Sequence, residues 1–104
     1  MILKKNMTYK LITSPETEKD IDKAVEWYAD IRKLIAKRFL SELRAVRKYI
    51  HKNPEKIQIK YNNVRVVFLK KFPYGLHYIL DKNTVTIIAL FHTADDPQKW
   101  KDRE

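Results

Sequence analysis

The chain has 104 residues, of which 22 are Lys or Arg and 13 are Asp or Glu, giving a formal net charge of +9. That length admits one domain, read as residues 1–104 with a core over about 8–100; 44% hydrophobic and 12% aromatic residues suffice for a modest core and exclude a disordered chain. The absence of cysteine excludes a disulfide framework, a thiolate zinc site and a cysteine nucleophile.

The Met1–Asn6 segment lacks the apolar stretch and small-residue cleavage site of a secretory leader, and Met7 is an alternative start. Apolar runs such as Val66–Leu69 and Ile87–Phe91 fall far short of the roughly 20 residues that cross a bilayer. A cytoplasmic protein with no membrane partner is expected.

Tyr9 to Thr13 alternates apolar and polar residues, which predicts a first strand. Thr13 or Ser14 then supplies an N-cap, Pro15 the first helical position, and Glu16, Glu18 and Asp20 suit the positive end of a helix dipole. Ile21, Ala24, Val25 and Tyr28 share one helical face, and Ile35, Phe39, Leu43, Val46 and Ile50 share another. A single helix from Pro15 to Asn53 would be about 39 residues long, well beyond the usual globular range. A break within Ala29–Lys33 and an antiparallel helical hairpin ending at Asn53-Pro54 are therefore expected.

After Glu55 the hydrophobic period changes to 2. Val64–Leu69, Tyr74–Leu80 and Thr84–Phe91 predict three strands, separated by Phe72-Pro73 and by Asp81-Lys82-Asn83. Such tight connections make the strands antiparallel, and the apolar end of the last strand suits a central place in the sheet. The expected fold class is α+β: an N-terminal strand, a two-helix antiparallel hairpin, and a three-stranded antiparallel meander that completes one sheet.

Charge is divided unevenly along this order. Residues 1–30 and 72–104 are each net −1, whereas residues 31–71 hold thirteen basic and two acidic side chains. A field of that sign concentrates negative partners, although a Lys-rich helix also serves solubility alone.

The ordered set Val64-Arg65, Lys71-Phe72-Pro73-Tyr74, Tyr78, His92, Asp96-Pro97 and Trp100, following a strand and a helical hairpin, resembles the RelE/ParE superfamily of bacterial toxins over roughly Thr8 to Trp100. Its Phe-Pro-Tyr and His…Pro…Trp signature is similar to the ParE-like branch, whose members carry the older label of plasmid stabilisation proteins. The resemblance implies a toxin of a type II toxin–antitoxin module, inhibiting growth until a cognate antitoxin wraps it with an acidic or amphipathic segment. ParE-like members poison DNA gyrase, whereas RelE-like members cut messenger RNA on the ribosome. Where RelE-type nucleases carry an Arg after the turn, an Arg beyond the last strand and a Tyr near the C-terminus, this sequence has Gly75, Ala94 and Trp100. Without those guanidinium groups, phosphoryl transfer loses its main charge stabilisation. The Thr93-Ala94-Asp95-Asp96 stretch also lacks the basic character of the ParE-like closing motif.

A nuclease built from this chain would use Arg65 for the charged intermediate, Lys70 and Lys71 for phosphate, and His77 or His92 as acid or base. Strict alternation puts Arg65 and Lys71 on one strand face and Lys70 on the other, and sets His77 opposite Leu76 and Tyr78, beside Arg65. His92 equally suits a backbone-bonded structural histidine, and His51 the negative end of the second helix. The three histidines have no metal-ligand spacing, so neither metal nor cofactor is expected.

Candidates for target or antitoxin binding are Trp27, Lys37, Arg38, Arg44, Arg47, Lys48, Arg65, Lys70, Lys71, Tyr74 and Trp100. The leading expectation is a ParE-like toxin acting on gyrase. Its rivals are a ribosome-dependent endoribonuclease and a degenerate, non-toxic module that binds its antitoxin or nucleic acid.

Overall fold

A computed structural model describes residues 8–104; the Met1–Asn6 segment read for a leader, and Met7 as an alternative start, lie outside the described residues. Strand β1 (Lys10–Thr13) leads into helix α1 (Pro15–Ile31), whose N-cap is Ser14, its Oγ accepting the Thr17 N–H at 3.1 Å. Thr17 extends that cap into the sheet, its hydroxyl donating to the Ile87 carbonyl at 3.1 Å.

One residue separates the helices. Arg32 is extended at φ −171° and ψ 129°, ends α1 and starts α2 (Lys33–Lys52), inside the window where two apolar faces demanded a break. Asn53 and Pro54 close α2, and a 3₁₀ turn follows over Pro54–Lys56.

The meander has one strand more than its periodicity suggests. Besides β3 (Val64–Phe68), β4 (Tyr74–Asp81) and β5 (Thr84–His92), Ile59–Tyr61 forms an edge strand, β2, antiparallel to β3. Three residues are too few to reveal a period, so its only mark in the sequence is the Asn62-Asn63 turn that returns the chain. Five strands of the described residues form one sheet in the order β1-β5-β4-β3-β2, with β1 parallel to β5 and the other neighbours antiparallel. β5 accordingly lies inside the sheet.

The helices cover one face. Ile21 and Ala24 of α1 and Phe39, Leu43 and Ile50 of α2 pack on Leu76, Tyr78, Val85, Ile87 and Leu90. Full burial of each larger aliphatic or aromatic side chain contributes about 1.5–3 kcal/mol. The opposite face carries a smaller core of Val64, Val66, Ile88, Ala89 and Phe91, overlaid by Tyr61, Ile79 and Trp100. Trp100 stands on a single-turn helix, α3 (Gln98–Lys101), within the segment that runs back along the molecule after β5.

Candidate functional site

Several concave surfaces border the helical hairpin among the described residues, and the first lies between α1 and the segment that follows β5. Asp20, Lys23 and Trp27 line it from α1, Tyr74 and His92 from the paired ends of β4 and β5, and Asp95, Lys99 and Arg103 from the closing segment. It encloses about 560 Å³. Local bonds hold its rim: the His92 N–H donates to the Asp95 carboxylate at 3.0 Å, and His92 Nδ1 accepts the Ala94 N–H at 3.0 Å. The half-buried imidazole meets the Tyr74 ring edge-on at 5.1 Å. Burial, then Tyr28 and Asp95, pushes the Tyr74 phenol above its ordinary pKa, so it stays a neutral donor.

Asp20 seals the far end of this cleft. The first-turn dipole role expected for it is replaced by a bidentate pair with Arg103, at 2.7 and 2.9 Å, and by acceptance of the Leu90 N–H at 3.0 Å. Arg103 also donates to the Ile88 carbonyl and lies over the Phe91 ring. Lys99 and Asp95 sit 3.6 Å apart on the open rim, where an ion pair contributes little.

Trp27 stands on the α1 wall of this cleft. It is 65% exposed, while its neighbour Tyr28 turns inward against Phe39, Phe72 and Tyr74 at 5.1 to 6.3 Å between ring centres. The helical period separates the two aromatics, one into the core and one onto the cleft wall.

The second concave surface runs along the other flank of α2. Ile35, Arg38, Ser41, Glu42 and Ala45 line it from the helix, Lys70, Lys71 and Phe72 from the β3–β4 turn, around about 580 Å³. β3 ends at Phe68, so the alternation expected to point the two lysines apart does not reach them. The Glu42 carboxylate accepts both the Lys70 and Lys71 N–H groups and so fixes the turn against α2. Lys37, Arg44 and Lys48 form a separate exposed stripe on α2. Arg47 is half-buried and donates to Thr13 Oγ1 at 2.9 Å.

The three candidate catalytic residues occupy three environments. Arg65 donates to the Pro54, Glu55 and Ile57 carbonyls at 3.5, 3.3 and 2.8 Å and thereby ties β3 to the 3₁₀ turn. It pairs with Tyr78, and His77 pairs with Val66; the expected neighbourhood of Arg65 and His77 is therefore corrected to opposite sheet faces. His77 is 2% exposed, ringed by Tyr61, Phe91 and Trp100, with its Nδ1 2.9 Å from the Tyr61 hydroxyl. Burial, then Lys60 and Arg103, lowers its pKa to about 4, so the ring is neutral. His92 lies at the cleft. His51 Nε2 sits 2.6 Å from the Tyr9 carbonyl oxygen and joins α2 to the start of the sheet.

Trp100 stacks on Tyr61 at 4.9 Å, and its buried Nε1 has no hydrogen-bond partner among the described residues. No cluster of His, Asp or Glu suited to a metal occurs among the described residues. Sequence reasoning missed Asp20, Lys23, Asp95, Lys99 and Arg103 as cleft residues; only the spacing of Asp96-Pro97 and Trp100 hinted that the closing segment returns to the body.

The profile of the ParE toxin of type II toxin–antitoxin system, parDE, matches residues 11–97. A solved structure described as the chromosomal ParDE TA system from P. aeruginosa superposes with a TM-score of 0.74, covering 82% of this chain and 96% of that one. Their 12% identity makes this a likeness of fold. No curated protein matches the sequence.

Proposed function

Because this chain belongs to the ParE toxin family of type II toxin–antitoxin systems, we propose that it arrests growth by binding an essential target, DNA gyrase, through the cleft between α1 and the closing segment. A cognate antitoxin neutralises it in the cytoplasm. The observation that supports this reading is the exposed Trp27 indole beside Tyr74 and His92. Large aromatics beside a preformed hollow are what protein interfaces use as anchors. Catalysis by Arg65, His77 and His92 would require one phosphate to reach opposite sheet faces and a buried, neutral imidazole.

The experiment is induction of the chain with and without the reading frame beside its gene, followed by negative-supercoiling assays of gyrase with the purified protein. Growth arrest relieved by the neighbouring frame, with inhibited supercoiling, is expected. Unchanged growth removes the toxin reading, and active gyrase in the presence of excess protein removes the target. New 5′ ends at ribosome-bound codons, seen by primer extension, would transfer the function to an endoribonuclease.

A further inference from the structure

The outward face of α2 carries a row of charges that nothing in the fold neutralises. Lys33, Lys37, Arg44, Lys48 and Lys52 are all exposed and, at about 100° of turn per residue, fall within an arc of about 100° on the helix. From Lys33 to Lys52 the row runs about 28 Å. Glu42, the one acid of α2, lies outside that arc and is engaged by the Lys70 and Lys71 N–H groups. Among the described residues none of the five cations pairs with a carboxylate. A protein partner calls for an apolar centre, and lysine is depleted from such interfaces. A nucleic-acid single strand calls for aromatic rings on which its bases stack; the arc holds none, and Tyr49, 44% exposed, stands about 60° beyond it. A straight row of cations with neither feature is the electrostatic footprint of a duplex backbone. Its length matches about eight base pairs at 3.4 Å each. α1 has the opposite sign, with six acidic and two basic side chains, so it repels phosphate and confines a duplex to α2. None of the five cations lines the Trp27 cleft.

We propose that the α2 row holds duplex DNA by its phosphates, without reading its sequence, and leaves the Trp27 cleft free for the protein target. The phosphate contact rests on the row alone, whereas the choice of DNA over an RNA duplex rests on the toxin reading, whose target works on duplex DNA. Lysines and an arginine on phosphate release condensed counterions, and five such contacts give a slope of log K against log salt of about −4.

The test uses the full chain and a fluorescein-labelled DNA duplex of about 20 base pairs, in two unrelated sequences. Binding is followed by anisotropy across a salt series, with circular dichroism confirming the fold of each variant. The two sequences should bind alike, with the steep slope above. Lys37→Gln/Arg44→Gln/Lys48→Gln should weaken binding by about 10-fold or more and flatten the slope by about 3. Lys10→Gln/Lys19→Gln/Lys101→Gln, an exposed set with the same change in net charge, should weaken it less than about 3-fold. Equal losses in the two triple variants would show attraction by net charge alone and overturn the proposal. A slope shallower than about −2 overturns it too, as does tighter binding of a single strand, an RNA duplex or a labelled poly-glutamate. Growth arrest is scored separately. A chain that holds DNA through the α2 row without arresting growth overturns the toxin reading alone; one that arrests growth but shows a flat salt response overturns the DNA proposal alone.

Discussion

Asp20 and Arg103, separated by 83 positions, form a two-pronged ion pair that locks the closing segment against α1 and the end of the sheet. Their side chains are 16% and 22% exposed, so neither charge is well solvated without the other. Asp20→Ala should cost about 2–3 kcal/mol, since it orphans Arg103 and the Leu90 N–H together. Arg103→Ala should cost about 1–2 kcal/mol, and the double variant less than the sum of the two. Urea denaturation of the four chains measures this; strict additivity would show that the pair does not couple the elements.

Acid should loosen the second core through His77. Its pKa is about 4 in the folded chain against an ordinary 6.5, so the unfolded chain binds the extra proton first. Stability therefore falls as pH drops through 6.5 and levels off below about 4, by about 3 kcal/mol in all. The positive neighbours Lys60 and Arg103 oppose protonation and Asp20 favours it. His77→Gln, which keeps a hydrogen-bonding amide for Tyr61, should flatten the slope between pH 6.5 and 4 in denaturation curves; an unchanged slope would assign it to other groups.

Trp27 tests the cleft without threatening the fold. At 65% exposure, its replacement by Ala should change stability by no more than about 0.5 kcal/mol. The same variant should relieve growth arrest by about 10-fold or more in the inducer concentration required. Full toxicity of Trp27→Ala would place target binding elsewhere.

Gly75 is required by a close approach between strands. A Cβ there would stand 3.0 Å from Phe68 Cδ1 and from Val66 Cγ1. Phe68 is half exposed and can swing aside, whereas Val66 is buried. Gly75→Ala should cost about 1–2 kcal/mol, and Phe68→Ala in the same chain should restore part of it. Thermal unfolding of the two single variants and the double variant decides the matter.

Several features could be read before folding because neighbouring residues determine them. Ser14-Pro15 announces α1, the two apolar faces on either side of Arg32 demand a hairpin, and Asn53-Pro54 ends it. Alternation through Val64–Phe68 correctly separates the two sheet faces. The edge strand Ile59–Tyr61 escaped notice because its order depends on β3 being present to pair with it. So did the irregularity around Ile88, which puts both Ile88 and Ala89 in the second core against the alternating rule.

What the order of residues determined alone was local: caps, periods, turns, and a basic middle segment that had to lie on the surface. Which cations meet an apolar strip, which histidine is desolvated and which acid finds a partner were decided by contacts between residues far apart in the chain. His77 is buried because Trp100 and Phe91 are laid around it, and Lys70 and Lys71 share a groove because Glu42 on α2 captures their backbone. Burial and hydrogen bonding at such points depend on where separate elements come to rest, a property of the packed sheet and helices that no single segment contains.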